Sequence, residues 1–317
     1  MRKLPIKISL PETFFLSEEK CGYTISSEMK EVWAVELDLL EEFRRVCEKH
    51  SLQWFATGGT LLGAVRHQGF IPWDDDIDIM MPRADFDKLN IIALKEFTHP
   101  YFWQNEYTDP GSNRIHSKLR NSLTTGITRY EASYGFKCNL GIAIGIFPID
   151  NIPSESVERD IFIQEIENTM VWEEKCLHEV YYFKPKYGRG IIKWFKHYVK
   201  YLLRKTIWHS RYNYRNYYDK IQLLIRKYNI EPSTDVALLV LHLSERFYWK
   251  KAWIAETLYL HFENIDVPVP KGYVELLDHF YGNWHKYEIG TSVHGETYYD
   301  AGKPYAEYTK MMNELWS

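Results

Sequence analysis

The stretch GGTLLGAVRHQGFIPWDDDIDI, Gly58 to Ile79, places a glycine pair ahead of an acidic run that enters an apolar segment. Before it, Leu52 to Thr57 suits a short strand, which the glycine pair ends. A short helix is then predicted over Thr60 to Arg66, and a second strand over Asp76 to Met81. This order of strand, tight turn, helix and strand favours a mixed α/β architecture.

The acidic run carries the strongest chemical signal in the chain. Because side chains alternate along a strand, Asp76 and Asp78 are expected on one face while Ile77 and Ile79 face the core. Two carboxylates held side by side repel each other unless a cation lies between them. Mg²⁺ or Mn²⁺ is the natural partner, since both favour oxygen ligands and also bind phosphates. The alternative is an acidic turn that caps the following helix.

The glycine pair supports a phosphate site next to these carboxylates. Gly58 and Gly59 let the backbone approach a ligand closely, and the helix that follows offers free N–H groups to an anion. Taken alone, the pair indicates only a turn. Together with the acidic strand it predicts a nucleotide site.

Hydrophobic periodicity extends this pattern in both directions. An amphipathic helix is predicted from Ser27 to Lys49, and another from about Arg83 to Phe97. Leu140 to Phe147 is apolar enough for a buried strand, which Pro148 should end. From Pro153 onward mainly helices are expected. The sequence therefore predicts an irregular arm (1–25), an α/β core (26–152) and a mainly helical region (153–317).

Composition limits the class of protein. Of 317 residues, 45% are apolar and 26% charged, which is typical of a folded globular chain and excludes disordered and coiled-coil classes. Counting 39 Lys and Arg against 43 Asp and Glu gives a net charge of −4. A nucleic-acid partner is therefore not expected.

The cysteines and the chain start indicate the compartment. Four well-separated cysteines predict free thiols in a reducing environment. Pro5, Lys7 and Pro11 interrupt any apolar run that a signal peptide would need, and no stretch reaches the roughly 20 apolar residues of a membrane span. We expect a cytoplasmic protein.

The Gly58 to Ile79 block closely resembles the signature of the LicD family of phosphotransferases, whose relatives include fukutin and fukutin-related protein. The resemblance continues in three further blocks: KLRNSLTT (Lys118–Thr125), NLGIAIGIFPID (Asn139–Asp150) and FENIDVPVPKGYVELLDHFYGNW (Phe262–Trp284). It implies a nucleotidyltransferase-like α+β fold, with a small mixed sheet flanked by helices. The last block corresponds to a C-terminal family element (262–290) expected to pack on the core.

The resemblance also implies roles for matching positions. Asp76 and Asp78 would be metal ligands and catalytic, with Asp74 bracing the turn. Gly58, Gly59 and Thr60 would hold the donor phosphates. Four further residues are expected to stabilise charge at the phosphates, although each could equally be a solvated surface residue; they are Arg66, His67, Lys118 and Arg120.

The implied reaction is Mg²⁺-dependent (or Mn²⁺-dependent) transfer of phosphocholine from CDP-choline or a similar CDP-activated donor. The acceptor would be a sugar hydroxyl of a cell-surface glycan, such as a lipopolysaccharide or teichoic acid, or of its lipid-linked precursor. A quaternary ammonium group is well held between ring faces. Five rings are candidates for such an aromatic box, with core packing as the alternative for each: Trp73, Tyr130, Tyr134, Trp284 and Tyr287.

Two departures from the family pattern leave other functions open. Gly145 stands where the family usually has a third carboxylate, and Asn283 stands where it has another. Asp150 is too far along the strand to replace the acid at 145, because it would face the opposite side. The chain could therefore be a weakened, regulatory member of the family, or a transferase for another CDP-polyol donor.

The segment 184–220 is strongly basic, with eleven Lys or Arg against the single acid Asp219 and with aromatic residues interleaved. This pattern is typical of an amphipathic helix that lies on an anionic membrane surface. The alternative is a helix packed on the core, paired with the acidic stretch Glu155 to Glu179. Both interpretations remain open from the sequence.

Overall fold

The computed structural model of the chain describes residues 3–183, 191–239, 247–290 and 296–315. Their helices are α1 (Ser27–Lys49), α2 (Gly58–His67), α3 (Arg83–Glu96), α4 (Arg129–Tyr134), α5 (Ser156–Cys176), α6 (Ile191–Lys205), α7 (His209–Tyr212), α8 (Tyr214–Leu224) and α9 (Tyr273–Tyr281). The strands are β1 (Glu18–Lys20), β2 (Tyr23–Ile25), β3 (Phe55–Ala56), β4 (Asp78–Pro82), β5 (Tyr101–Gln104), β6 (Ser117–Asn121), β7 (Thr125–Thr128), β8 (Ala143–Ile152), β9 (Asp235–Ala237), β10 (Tyr248–Lys250), β11 (Thr257–Phe262), β12 (Ile265–Pro270) and β13 (Thr297–Asp300). The α+β class is confirmed.

Helix α1 is more deeply buried than its amphipathic pattern predicts. The predicted helix has the observed bounds, but residues 32–40 are all buried, including the charged Glu36 and Asp38. The N-terminal arm covers the outer face, where Lys7 N and Ile8 N donate to Asp38 Oδ1 at 2.6 and 3.0 Å. The arm is also more regular than predicted, since β1 and β2 form an antiparallel hairpin.

The central sheet aligns three strands that come from distant parts of the sequence. Its strands run in the order β10-β9-β8-β4-β3, with β6 pairing with both β8 and β5. Strands β4 and β8 are parallel, and Asp78 lies opposite Gly145. On the antiparallel pair β6 and β8, Lys118 also lies opposite Gly145. Asp78, Gly145 and Lys118 therefore stand side by side on one row of the sheet.

Strand β8 extends beyond the proline that was predicted to end it. Pro148 lies inside the strand, between the residues that pair with β6 (143–146) and those that pair with β9 (150–152). At Pro148 itself β8 pairs with β4 and with neither antiparallel neighbour in the described residues. The missing proline N–H therefore interrupts neither the ladder with β6 nor the ladder with β9. The prediction of a strand from Leu140 to Phe147 was wrong at both ends.

The other predicted bounds differ by a few residues. The first short strand is limited to β3, and β4 begins at Asp78 rather than at Asp76. The glycine pair forms the first turn of α2 instead of preceding the helix. After Pro153 the described residues up to α8 are mainly helical, as expected, but strands β9 to β13 then follow, which the sequence pattern did not predict.

The C-terminal family element packs on α2. Strands β11 and β12 form an antiparallel hairpin, and the Phe262 ring packs at a tilt against Phe70 just after α2, with ring centroids 5.0 Å apart. Glu263 Oε1 accepts a hydrogen bond from Phe70 N at 3.1 Å. Farther on, β13 pairs with β7 and returns the end of the chain to the core. Segments from both ends of the sequence thus enclose the region around α2 and β4.

The basic segment is divided among three helices in its described part. Residues 184–190 lie outside the described residues, and α6, α7 and α8 cover most of the remainder. Two ion pairs join it to the acidic stretch, Arg204 to Glu179 at 2.9 Å and Lys220 to Glu165 at 3.1 Å. Among the described helices, none is both long enough and apolar enough to cross a membrane.

A buried ion pair fixes α3 against β8. Arg83 donates to both carboxylate oxygens of Asp150, from Nε at 2.7 Å and from Nη2 at 2.6 Å. The Asp150 carboxylate also accepts from Asn229 Nδ2 at 2.6 Å. Its side chain is fully buried, so the ion pair is shielded from water.

We expect Asp150→Ala to lower the free energy of unfolding by about 3 kcal/mol, because Arg83 would remain buried and charged with only the Asp87 carboxylate, 3.5 Å from its Nη1, as a partner. Urea unfolding followed by tryptophan fluorescence measures this. Glu296→Ala, which breaks the exposed Arg129 pair, is the control and should change stability by less than about 1 kcal/mol. Equal losses in the two variants would contradict the assignment.

Candidate functional site

The acidic run forms a cluster in the loop between α2 and β4. Asp74, Asp75 and Asp76 each place a carboxylate oxygen within 4.8 Å of the other two. Asp78, the first residue of β4, lines the same cavity as Asp75 and Asp76. The carboxylates are therefore brought together mainly by the loop, and not by the strand alternation that the sequence suggested.

Burial and the charges of neighbouring carboxylates disfavour the ionised forms of Asp74 and Asp78. Burial raises the pKa of Asp78 well above its ordinary value, and the charges of Asp76 and Asp74 raise it further. The pKa of Asp74 is raised by burial and then by Asp76 and Asp75. A bound cation would reverse this effect, because an opposite charge stabilises carboxylates.

The N-terminus of α2 faces the same carboxylates. Gly58 has a left-handed φ of +53°, and a Cβ added to it would lie 3.7 Å from Asp78 Oδ2. At Gly59 an added Cβ would collide with the Asp74 carboxylate, so glycine is required for this close approach. In the described structure Thr57 provides no side-chain cap, which leaves the first N–H groups of α2 available to an anion.

Thr60 has a positioning role in the structure. Its hydroxyl accepts a hydrogen bond from Asp78 N at 2.8 Å, and the residue is buried. This bond ties the first turn of α2 to the start of β4. Asp74, which was expected to brace the turn, lies against Gly59 in a position suited to that role.

Lys118 faces the carboxylates from the other side of Gly145. Burial lowers its pKa to about 7, and the nearby Arg114 and Arg120 lower it further, against the opposing effect of Glu131 and Asp78. Within the described residues its ammonium group forms no hydrogen bond or ion pair. Lys118 is therefore available to an anionic ligand.

Arg120, in contrast, is held by the protein. It donates from Nε to Gln104 Oε1 and from Nη1 to the Gly141 carbonyl, both at 2.5 Å. Its Nη2 lies 3.7 Å from Glu131 Oε1, which also pairs with Arg114 at 2.6 Å. Although burial opposes the effect, these arginines lower the pKa of Glu131 to about 2. Arg120 lines the cavity but acts mainly as a buried structural cation.

Arg66 and His67 do not line the acidic cavity. They lie in the last turn of α2, roughly 12 Å along the helix from Gly58. Arg66 donates to His67 Nε2 at 2.9 Å and to the Trp284 carbonyl at 2.8 Å. Burial lowers the pKa of His67 to about 4, and Arg66 adds to this, so the imidazole is neutral near pH 7. The geometry favours a role in packing the C-terminal element for both.

The C-terminal element approaches the site through Tyr281. An added Cβ at Gly58 would lie 3.9 Å from the Tyr281 hydroxyl oxygen. Asn283 is exposed just after α9, so the change from acid to amide there lies outside the residues that line the cavity. Trp284 is buried and donates from Nε1 to Asp278 at 2.9 Å.

The candidate rings for an aromatic box are separated into groups. Trp73 and Tyr287 each contact the His67 ring, at centroid distances of 6.3 and 5.4 Å. Tyr130 and Tyr134 instead pack with each other and with His178 on another part of the surface. Trp284 contacts the His285 ring at a tilt. In the described part of the chain the five rings do not form one box.

Several residues of the cavity were not identified from the sequence. Tyr299, on β13, donates to Asp75 Oδ2 at 3.1 Å, and Glu36 reaches the cavity from α1. Glu36 gave a weak signal, a carboxylate within the apolar run VWAVELDLL. Tyr299 gave none, because it lies more than 200 residues from the acidic run. The cavity is completed by Arg114, His116, Thr128 and Glu131.

The residues present fit a hard divalent cation. The donors gathered at the cavity are carboxylate oxygens, which Mg²⁺ and Mn²⁺ prefer to nitrogen or sulfur. Among the described residues, Glu36 Oε2 is buried without a hydrogen-bond partner. Asp150, considered as a replacement for the acid missing at Gly145, is bound to Arg83 and does not line the cavity.

Comparison with known proteins agrees with this arrangement. Residues 51–133 match the family model described as LicD/FKTN/FKRP, nucleotidyltransferase domain. The lipopolysaccharide cholinephosphotransferase LicD of Haemophilus influenzae is 26% identical over 274 residues, covering 81% of this chain and 91% of that protein. An uncharacterised protein of Rickettsia prowazekii is 40% identical over 70 residues, covering 22% of this chain and 24% of the relative.

The matched region includes α2, the acidic loop, β4 and Lys118, and the Haemophilus relative extends the similarity over most of the chain. Residues 51–133 therefore form a domain of the LicD type, and the rest of the chain shares the similarity to the Haemophilus protein over most of its length.

Proposed function

We propose that this protein is an Mg²⁺-dependent phosphotransferase that passes phosphocholine from a CDP-activated donor to a sugar hydroxyl of a cell-surface glycan or its lipid-linked precursor. The supporting observation is the cavity itself, in which Asp75, Asp76 and Asp78 face Lys118 beside the open N-terminus of α2. The similarity to a lipopolysaccharide cholinephosphotransferase supports the choice of phosphocholine.

Each group of residues in and beside the cavity has a role in the proposed reaction. Asp76 and Asp78 hold the cation, which supplies charge neutralisation to the donor phosphates when it is bound. The N–H groups of Gly58 and Gly59 bind a phosphate oxygen, as free helix N-termini do. Lys118 contributes a positive charge from the opposite wall, where it stabilises the negative charge on the leaving CMP. Thr60 holds Asp78 in place.

Two aromatic rings near the end of α2 bear on the identity of the transferred group. Trp73 and Tyr287 both contact the His67 ring at the end of α2 and would be the ones to contact a quaternary ammonium. A CDP-polyol has no cation for those rings to recognise. Comparison of CDP-choline with CDP-ribitol as donors therefore distinguishes the two substrate classes.

We expect Asp76→Ala to reduce CMP release from CDP-choline by roughly a hundredfold or more, because the cation would lose a ligand. The assay contains Mg²⁺ and a panel of glycan acceptors, and CMP is measured by chromatography. Asp266→Ala is a matched control, since that aspartate is exposed on β12. It should retain wild-type turnover.

Thermal unfolding of Asp76→Ala separates loss of the site from loss of the fold. In EDTA the variant should be as stable as the wild type or more stable, because one of several repelling charges has been removed. With Mg²⁺ the wild type should gain stability and the variant should not. Retained turnover, or equal stabilisation of both proteins by Mg²⁺, would reject the assignment of Asp76 to the metal site.

We expect donor affinity to fall as the pH rises above about 7, because the Lys118 pKa lies near 7 in the free protein and the neutral amine cannot pair with phosphate. Above that pH, donor binding should take up a proton. Calorimetry of CDP-choline with Mg²⁺ in buffers of different ionisation enthalpy measures this uptake.

Lys118→Met should abolish the proton uptake and weaken donor binding by roughly 10- to 100-fold, the usual value of a hydrogen bond to a charged group. Lys271→Met, at an exposed lysine that pairs with Glu256, is the control. Unchanged uptake in Lys118→Met would show that another group titrates.

We further propose that α6 rests on the anionic inner face of the membrane, where a lipid-linked acceptor would be found. The helix contains five Lys or Arg and no acid. Ile192 and Phe195 are 73% and 59% exposed, and Leu202 continues the same face one heptad after Phe195. Exposed apolar side chains flanked by lysines suit an interfacial helix. The pairing of Arg204 with Glu179 leaves this face open.

We expect Ile192→Ser combined with Phe195→Ser to reduce binding to vesicles containing phosphatidylglycerol by at least about tenfold in sedimentation assays, because apolar burial and lysine attraction act together. Ile91→Ser, at an exposed isoleucine on α3, should bind like the wild type. Equal binding to neutral phosphatidylcholine vesicles would contradict the electrostatic part of the proposal.

A further inference from the structure

The third carboxylate that the family pattern places on β8 has no room in this protein. Gly145 lies opposite Asp78 in the parallel pair β4 and β8. A Cβ added to Gly145 would lie 2.6 Å from Asp78 Oδ1 and 2.7 Å from the Phe147 ring. Both side chains would have to move before an acid could occupy this position. The Asp78 carboxylate uses the space that glycine leaves.

Another buried carboxylate reaches the same cavity from α1. Glu36 is 1% exposed and lines the cavity together with Asp75, Asp76 and Asp78. Its Oε2 has no hydrogen-bond partner among the described residues. A carboxylate buried in this way destabilises the fold unless something compensates its charge.

Asp38, the other buried acid on α1, has a structural role and serves as a comparison for Glu36. Asp38 is equally buried, yet it accepts hydrogen bonds from Lys7 N, Ile8 N and the Tyr101 hydroxyl. Asp38 therefore ties the N-terminal arm and β5 to α1. Glu36 lacks such partners on Oε2, so packing of the helix does not account for it.

The electrostatic environment agrees with this contrast. Burial raises the pKa of Glu36 well above its ordinary value, and the charges of Asp76, Asp75, Asp74 and Asp78 raise it further. Four of these five carboxylates, all except Asp74, line the shared cavity. Tyr299 closes the cavity on the β13 side, where its hydroxyl donates to Asp75.

We propose that Glu36 is a ligand of the divalent cation, together with Asp76 and Asp78, and that it takes the place of the acid missing at Gly145. The proposal rests on the proposed function, since it assumes that the cavity holds a cation. It assigns the third carboxylate to a helix that precedes the family domain matched at residues 51–133. It also makes the loss at Gly145 compatible with an active enzyme.

Calorimetric titration of the intact chain with Mn²⁺ alone tests the assignment without any measurement of turnover. Glu36→Gln keeps the size of the side chain and removes its charge. We expect it to weaken Mn²⁺ binding by at least about tenfold, a loss that even the partners of metal ligands commonly produce. Without metal, Glu36→Gln should unfold at the same temperature as the wild type or higher, because a buried unpaired charge is gone.

Asp38→Asn is the matched control on the same helix. It should lower the unfolding temperature, since it weakens three hydrogen bonds, and leave the Mn²⁺ affinity of the folded protein unchanged. Gly145→Asp should give no gain in Mn²⁺ affinity, because the third position is already filled. A gain in Gly145→Asp with no loss in Glu36→Gln would overturn the proposal in favour of a cation site that lacks an acid.

The titration also separates this inference from the function on which it rests. Wild-type Mn²⁺ affinity in Glu36→Gln, with loss of affinity in Asp76→Ala, would overturn the role of Glu36 and leave the metal site intact. Absence of Mn²⁺ binding in the wild type would overturn both. Loss of affinity in both variants, with Asp38→Asn unaffected, supports both.

Discussion

Repulsion among carboxylates gathered at one cavity is the constraint on which the arrangement of this protein depends. Glu36 comes from α1, Asp75 and Asp76 from the acidic loop, and Asp78 from β4, and all of them line one cavity. Such a cluster is unfavourable in an apolar core. The surrounding elements compensate in part, through the N-terminus of α2 and the hydroxyl of Tyr299. A divalent cation would complete the compensation, which links the stability of the site to its chemistry.

The sheet register organises charge across the cavity. Asp78, Gly145 and Lys118 lie on one row of three strands, so a carboxylate and an ammonium face each other across a residue without a side chain. With its ammonium unpartnered among the described residues, Lys118 differs from Arg120, whose guanidinium is bound by Gln104 and Gly141. The row thus sets a carboxylate on one side of Gly145 against an ammonium group on the other.

The local part of this site could be predicted from the sequence, and the assembled part could not. The glycine pair and the acidic run are close in sequence, so their proximity follows from one turn and one helix. The pattern could not reveal that the loop, and not the strand, presents Asp76, because β4 begins at Asp78. Arg66 and His67 were selected for their charge, but helix geometry places them at the far end of α2 from Gly58.

Residues that reach the site from distant parts of the chain gave little or no signal in the sequence pattern. Tyr299 reaches Asp75 because β13 pairs with β7, a contact between segments far apart in the chain. Glu36 lies on a helix whose periodicity predicts one apolar stripe, whereas the N-terminal arm covers the other side and buries residues 32–40. An exposed glutamate needs no partner. Glu36 therefore indicates a site only because this face of the helix is covered and the carboxylate is buried.

The division of acids between α1 and the acidic loop has a structural consequence. Asp38 fastens the arm to α1, and Glu36, half a turn away on the same helix, reaches the carboxylate cavity. Cation binding through Glu36 would therefore connect the arm, α1 and β4 into one unit. In a protein with the third acid on β8, the sheet alone would carry that ligand. Here Gly145 supplies no carboxylate, and Glu36 on α1 would supply the third ligand instead. A helix outside the matched domain, residues 51–133, would then be part of the site.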